Sequence, residues 1–314
     1  MSLKSKNGSD IKRKSRMPGG GKSNLELWLL CLPGIIKVLI FSYIPLLWMT
    51  LAFKFYVPRK GLFGSRWVEF QNFEVLFKSG QAWTLIKNAI GINVLCIGFG
   101  TVISVLLGLF MFETGKKFLK VTQILYVFPF FISWPLVGVL LKAFLSGRTG
   151  MISSLLSAVG VDVQFYKEPK LWKGIIAFSY IFKTAGMSAV TYYAVLMGAD
   201  KELYEAARID GAKTFGCMWH VSLPALKTMI ILNVIMATTD ILKVDFNMVY
   251  YLTDNKAALY SATDVIETYM FRATTSGSGL EQGTAIGLVQ GVVGLTLTLI
   301  VNKLCNKLFG ESLI

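Results

Sequence analysis

Long apolar runs separated by short polar, often basic, stretches set the pattern of this chain from residue 28 onward. Six runs, 28–53, 88–112, 121–145, 174–197, 226–252 and 284–308, each reach the roughly 20 residues that a helix needs to cross a hydrocarbon core about 30 Å thick. Their apolar positions do not alternate as in a half-buried strand. Lipid offers no hydrogen-bond partner to the backbone, so such runs must close their own N–H and C=O ladder as helices. The predicted fold class is all-α: a polytopic membrane protein whose residues 27–314 form one domain of six transmembrane helices.

Composition and charge sharpen that picture. Of 314 residues, 54% are hydrophobic and 16% charged, against about 25% charged in soluble domains. The net charge of +14 raises nucleic acid as a partner. The excess, however, gathers ahead of the first span in Lys4, Lys6, Lys12, Arg13, Lys14, Arg16 and Lys22, the distribution that holds a segment on the cytoplasmic side. No nucleic-acid partner is expected, and six spans then place both termini in the cytoplasm. The first outer connection, with Arg59, Lys60 and Arg66, is itself basic. Residues 1–26 read as a flexible basic tail. They lack a signal peptide's apolar stretch, so the first span is expected to remain as an anchor. Gly19-Gly20-Gly21-Lys22-Ser23 imitates the end of a phosphate-binding loop, but Arg16 stands where another Gly is needed. Cys31, Cys96, Cys217 and Cys305 imply no disulfide framework.

The sharpest local signal lies in the connection between the fourth and fifth spans, residues 199–224. Lys201 to Ile209 is a good helix former with acidic residues in its early turns, and Gly211 after Asp210 offers a left-handed stop. Thr214 is then expected to cap a second short helix carrying Phe215, Met218, Trp219 and Val221, with Pro224 in the first turn of the next span. The result is a helical knob. Small Ala206, Ala207 and Gly211 let another protein approach closely, and Glu205 and Arg208 provide directional polar contacts beside them.

Glu205-Ala206-Ala207, Gly211 and Val221-Ser222-Leu223-Pro224 stand at the spacing of the E-A-A loop of the binding-protein-dependent ABC importer permeases, and the chain resembles that family. Val221 replaces the usual Ile, and Thr228 stands where a second Pro is common. The resemblance implies a type I ABC importer permease core in a bacterial cytoplasmic (inner) membrane. It further implies that Glu205, Ala206, Ala207, Arg208, Asp210, Gly211, Phe215 and Pro224 couple to an ATPase. Partners implied are a second, different permease subunit, two ATPase subunits that bind ATP and Mg, and an extracytoplasmic solute-binding protein. No cofactor is expected in the chain itself. Phe41-Ser42-Tyr43-Ile44-Pro45, Asp264-Val265-Ile266-Glu267-Thr268-Tyr269 and Gly310-Glu311-Ser312-Leu313 look like the carbohydrate branch, which implies an oligosaccharide substrate.

Charges inside spans are costly and tend to face a cavity or a partner, which makes Lys183, Asp240, Lys243 and Asp245 candidates for the substrate pathway. On an unbroken helix Asp240 and Lys243 would be neighbours, and an ion pair packing two helices is the competing account. Lys183 either anchors a helix by bonding a backbone carbonyl or a carboxylate, or meets the sugar. Asp245, Asn247 and Tyr251 combine carboxylate, amide and aromatic groups, which suit a sugar's hydroxyls and C–H faces. Lys37 is read as snorkelling to the interface. Gly174, Ala177, Ala185, Gly186 and Ala189 are read as close helix packing, and His220 lacks the neighbours of a metal ligand. A membrane-embedded enzyme would need an assembled catalytic set, which the sequence does not present. A secondary transporter would have no use for the knob.

Overall fold

The computed structural model describes residues 22–147, 149–277 and 279–309. Most of the basic tail, residues 1–21, and the motif at 310–313 lie outside them. Residues 22–26, expected in the tail, are already helical.

The chain divides into two compact units, 1–50 and 51–314. In the first, α1 (Lys22–Val38) passes through a π turn (Leu39–Tyr43) into a 3-10 stretch (Ile44–Phe53). The pairing changes just where Pro45 withholds the N–H that an α turn would use. The span reads Leu27–Phe53.

The second unit opens with a two-residue antiparallel pair, β1 (Lys54–Phe55) and β2 (Arg66–Trp67), around the short α2 (Gly61–Gly64). Buried Asn72, in α3 (Gln71–Lys78), fastens this connection by donating to Ala52 O (2.9 Å) and Lys54 O (3.0 Å). This small strand pair departs from the all-helical expectation.

The core is built on α4 (Gln81–Glu113) and α8 (Pro169–Met197), which pack along each other. Glycines permit the approach: a Cβ at Gly108 would lie 2.9 Å from Tyr192 Cβ. Between them come α5 (Lys116–Val127), a 3-10 turn (Phe128–Phe131), α6 (Trp134–Leu145) and α7 (Met151–Ala158). A Cβ at Gly186 would sit 1.8 Å from Tyr126 O, so the backbones of α8 and α5 touch there. Beyond α8 follow α9 (Lys201–Ile209), α10 (Thr214–Cys217), a π turn (Met218–Ser222) and α11 (Leu223–Thr239). The chain closes with α12 (Phe246–Thr253), α13 (Tyr260–Thr263), α14 (Ile266–Ser276) and α15 (Leu280–Phe309), which packs on α3, α11 and α14.

Among the described residues five helices are long and apolar enough to cross a membrane, six when the bent pair Lys117–Phe131 with Trp134–Leu145 is counted as one span. Two of the six expected spans are not continuous. The third turns by 93° between α5 and α6, where Pro129 and Pro135 bracket Ile132 and Ser133. The fifth leaves helical geometry over 240–245.

Candidate functional site

The knob is held by local rules. Asp200 caps α9, its Oδ1 accepting from Glu202 N at 3.0 Å. Past the last turn Gly211 adopts φ +84, and Ala212 N returns to Ala207 O at 2.9 Å. One buried side chain ties the knob to the membrane helices. Tyr204 lies with its ring 5.4 Å from that of Phe112 and its hydroxyl 3.1 Å from Ser222 Oγ. Glu205, Ala206, Arg208, Asp210 and Gly211 are exposed, Ala207 is half-buried, and no atom lies within 4 Å of where a Gly211 Cβ would stand. Ile209 is 86% and Phe215 76% exposed, and Phe215 borders an apolar cleft of about 410 Å³ together with Val102, Leu106 and Phe110 of α4.

The second short helix is corrected. Thr214 makes no cap; it starts a helix that runs on through the π turn as one span, Thr214–Thr239. Leu223 N donates to Met218 O across that turn, and exposed Pro224 sits in the first turn beyond it. The second half of the knob, from Thr214 onward, is therefore helically continuous with α11.

At the other end of α11 the chain unwinds. Asp240 and Lys243, neighbours on an ideal helix, instead share a tight turn in which Lys243 N donates to Asp240 O at 2.8 Å. Asp245 ends the unwound stretch by capping α12, its Oδ1 accepting from Asn247 N (2.8 Å) and Met248 N (3.2 Å). Its other oxygen accepts from Trp134 Nε1 at 2.8 Å. Trp134 begins α6, so this bond ties the two broken spans together. Lys183 stands at the same junction: its ammonium donates to Phe130 O and lies 5.2 Å and 5.5 Å from the ring centres of Phe130 and Trp134. That is the carbonyl anchor weighed from sequence, reinforced by cation–π attraction.

A groove runs from this junction towards the knob. A cavity of about 480 Å³ is lined by Asn93, Tyr180, Asp240, Lys243 and Asp245 among others. It shares Cys96, Ile97, Tyr180 and Ala237 with a second cavity of about 260 Å³. The second is rich in hydroxyls: Thr101, Ser104, Thr184, Ser188 and Thr191, with Asn233 beside them. Hydroxyl and amide groups along a mid-span wall suit a solute whose own hydroxyls exchange hydrogen bonds as it passes. Asn247 and Tyr251 are not among these lining residues. Asn247 lies in the first turn of α12, and the Tyr251 backbone packs against Gly138 of α6, where a Cβ would meet Tyr251 O at 2.5 Å. His220 Nδ1 lies 3.1 Å from Gly216 O. Among the described residues no group of three or more His, Cys, Asp or Glu could hold a metal ion.

Residues 100–308 match the family described as binding-protein-dependent transport system inner membrane component. The chain belongs to that family. The permease is 32% identical to the polygalacturonan/rhamnogalacturonan transport system permease protein YteP of Bacillus subtilis (strain 168), over 91% of this chain and 89% of YteP. It is also 32% identical to protein LplB of the same organism, over 93% and 92% of the two chains. Among solved structures it resembles a chain of a bacterial alginate ABC transporter in complex with alginate pentasaccharide-bound periplasmic protein. The TM-score is 0.81 and the identity 31%, covering 93% of this chain and 98% of that one. The permease is thus a multi-pass membrane subunit of an ABC importer and not an enzyme.

Of the residues named from sequence, Asp240, Lys243 and Asp245 line the groove while Lys183 supports the junction of the two broken spans. Trp134, Asn93 and Gln290, which hold the breaks, were not singled out. Their signal was present, as amides and an indole inside otherwise apolar runs.

Proposed function

We propose that this chain is one permease subunit of an ATP-driven importer of oligosaccharides, with the knob facing the cytoplasm and the groove forming its share of the path. The observation that carries the reading is the continuity of one helix, Thr214–Thr239, from the exposed knob to the break that lines the groove. A partner that moves the knob therefore moves one wall of the path. The family resemblance calls for a second permease beside this one, read as a different chain. ATP and Mg bind in two separate ATPase subunits whose closure draws the knobs together. An extracytoplasmic protein delivers the sugar at the opposite end. The relatives' polygalacturonan, rhamnogalacturonan and alginate substrates, together with the hydroxyl lining, support a saccharide over an amino acid or an ion. The states differ in how tightly each partner binds, and that difference drives alternation.

The test is purification of the tagged chain in detergent, native and as Gly211→Asp. Position 211 is open, so the new carboxylate falls on the docking face without a clash, although φ +84 strains the turn. Expected is an ATPase and a second permease with the native chain, and loss of the ATPase alone with the variant. A native chain that carries sugar with no ATPase attached would overturn the reading.

A further inference from the structure

The unwound stretch between α11 and α12 leaves backbone carbonyls without helical partners, and side chains from other helices collect them. Asn93 of α4 donates through Nδ2 to Ile241 O (2.8 Å) and Lys243 O (3.0 Å), with Asp240 O at 3.5 Å. Gln290 of α15 donates through Nε2 to Leu242 O and to Glu267 Oε1, both at 2.8 Å. Glu267 of α14 accepts from Val244 N at 3.1 Å through the same oxygen. A continuous helix would need none of these groups, and polar side chains at this depth are costly.

We propose that Asn93, Gln290 and Glu267 form a sliding clasp, a set of positioning residues that lets α11 shift along α4 and α15 when the knob moves. Three features point to movement over static support. The two N–H groups of the Asn93 amide lie within reach of three carbonyls, so a slide of α11 can exchange one acceptor for another. Glu267 Oε2 is buried with no hydrogen-bond partner, an acceptor free to be filled in a second arrangement. The break itself lines the groove through Asp240, Lys243 and Val244. Exchange between two discrete hydrogen-bonded registers is how packed helices convert a small push into a defined displacement. The clasp rests on the importer reading and specifies where that transporter bends.

The experiment uses the complex purified by a tag on this chain, reconstituted with its binding protein and a panel of neutral and uronate oligosaccharides. Asn93→Asp removes the donor at nearly constant volume, Gln290→Leu removes both of its bonds, and Glu267→Gln keeps an acceptor that Glu267→Leu lacks. Expected for N93D, Q290L and E267L is assembly at native yield, with sugar moved per ATP hydrolysed down about ten-fold or more and hydrolysis no longer requiring binding protein. Expected for E267Q is a ratio within about two-fold of native. A merely structural role would lower transport and hydrolysis together, in step with yield, and that result overturns the clasp. So do native ratios in N93D and Q290L, or failure of all four variants to assemble. If the native complex hydrolyses ATP in response to binding protein but moves no saccharide, the substrate reading fails, and the clasp is still judged by whether hydrolysis escapes binding-protein control.

Discussion

The two ends of α11 are shaped by opposite means. At the knob, every backbone turn is closed within a few residues: Asp200 caps, Gly211 reverses the chain, and a single distant contact, Tyr204 with Phe112 and Ser222, seats the result. At the break, a local turn from Lys243 N to Asp240 O and the Asp245 cap are not enough, and the remaining carbonyls are closed by residues far away in the chain, Asn93 and Gln290. An element that must keep its shape while being pushed profits from local closure. One that must change register profits from acceptors held by neighbours that stay behind.

The strongest way to break this comparison is to force apart the helices around the bends. Gly186→Ala places a methyl group where Tyr126 O already stands, and the cost is expected to exceed about 3 kcal/mol. The complex should unfold at clearly lower temperature in detergent. An unchanged melting profile would mean that α5 and α8 do not touch as described.

Next in size is Tyr204→Ala, which removes the knob's buried ring at about 3 kcal/mol. Because the loss is local, hydrogen exchange should speed up in 201–209 and leave α4 and α8 protected. Faster exchange throughout the bundle would deny the knob its independence. Trp134→Phe deletes the bond to Asp245 and is expected to cost about 2 kcal/mol, the value of a hydrogen bond to a charged group. Its signature is loosening of 240–245 with the knob unaffected, and equal loosening at both ends would erase the difference between them. Smallest is Tyr204→Phe, about 1 kcal/mol for one hydroxyl bond, visible in the exchange rates of 201–209 and not in ATPase recovery. Loss of the ATPase in that variant would show the hydroxyl itself to be part of the docking surface.

Much of this was legible in the sequence alone. Apolar run length fixes the spans because lipid compels backbone self-pairing, and the 201–209 helix with its glycine stop follows from caps and propensities that act over a few residues. The bends were harder. In the third span Pro129 and Pro135 carried the signal, since neither can donate to a helical ladder. In the fifth, residues 226–252 contain no Gly and no Pro, so the run reads as one helix, and Asp240 with Lys243 looks like an i, i+3 pair. Thr214 likewise looks like a cap when the following π turn is not foreseen.

The sequence by itself determined the membrane class, the number of crossings, the knob and its family, because each depends on hydrophobicity or on short-range stereochemistry. The tertiary structure alone decided that Asp245 caps a half-helix and meets Trp134, that Lys183 anchors Phe130 and that the groove is walled by Thr101, Ser188 and Thr191. It also decided that four carbonyls at the break find donors on α4 and α15. The reason is physical: a helix breaks inside a membrane where other helices supply the hydrogen bonds that water cannot, and that supply comes from residues distant in the chain.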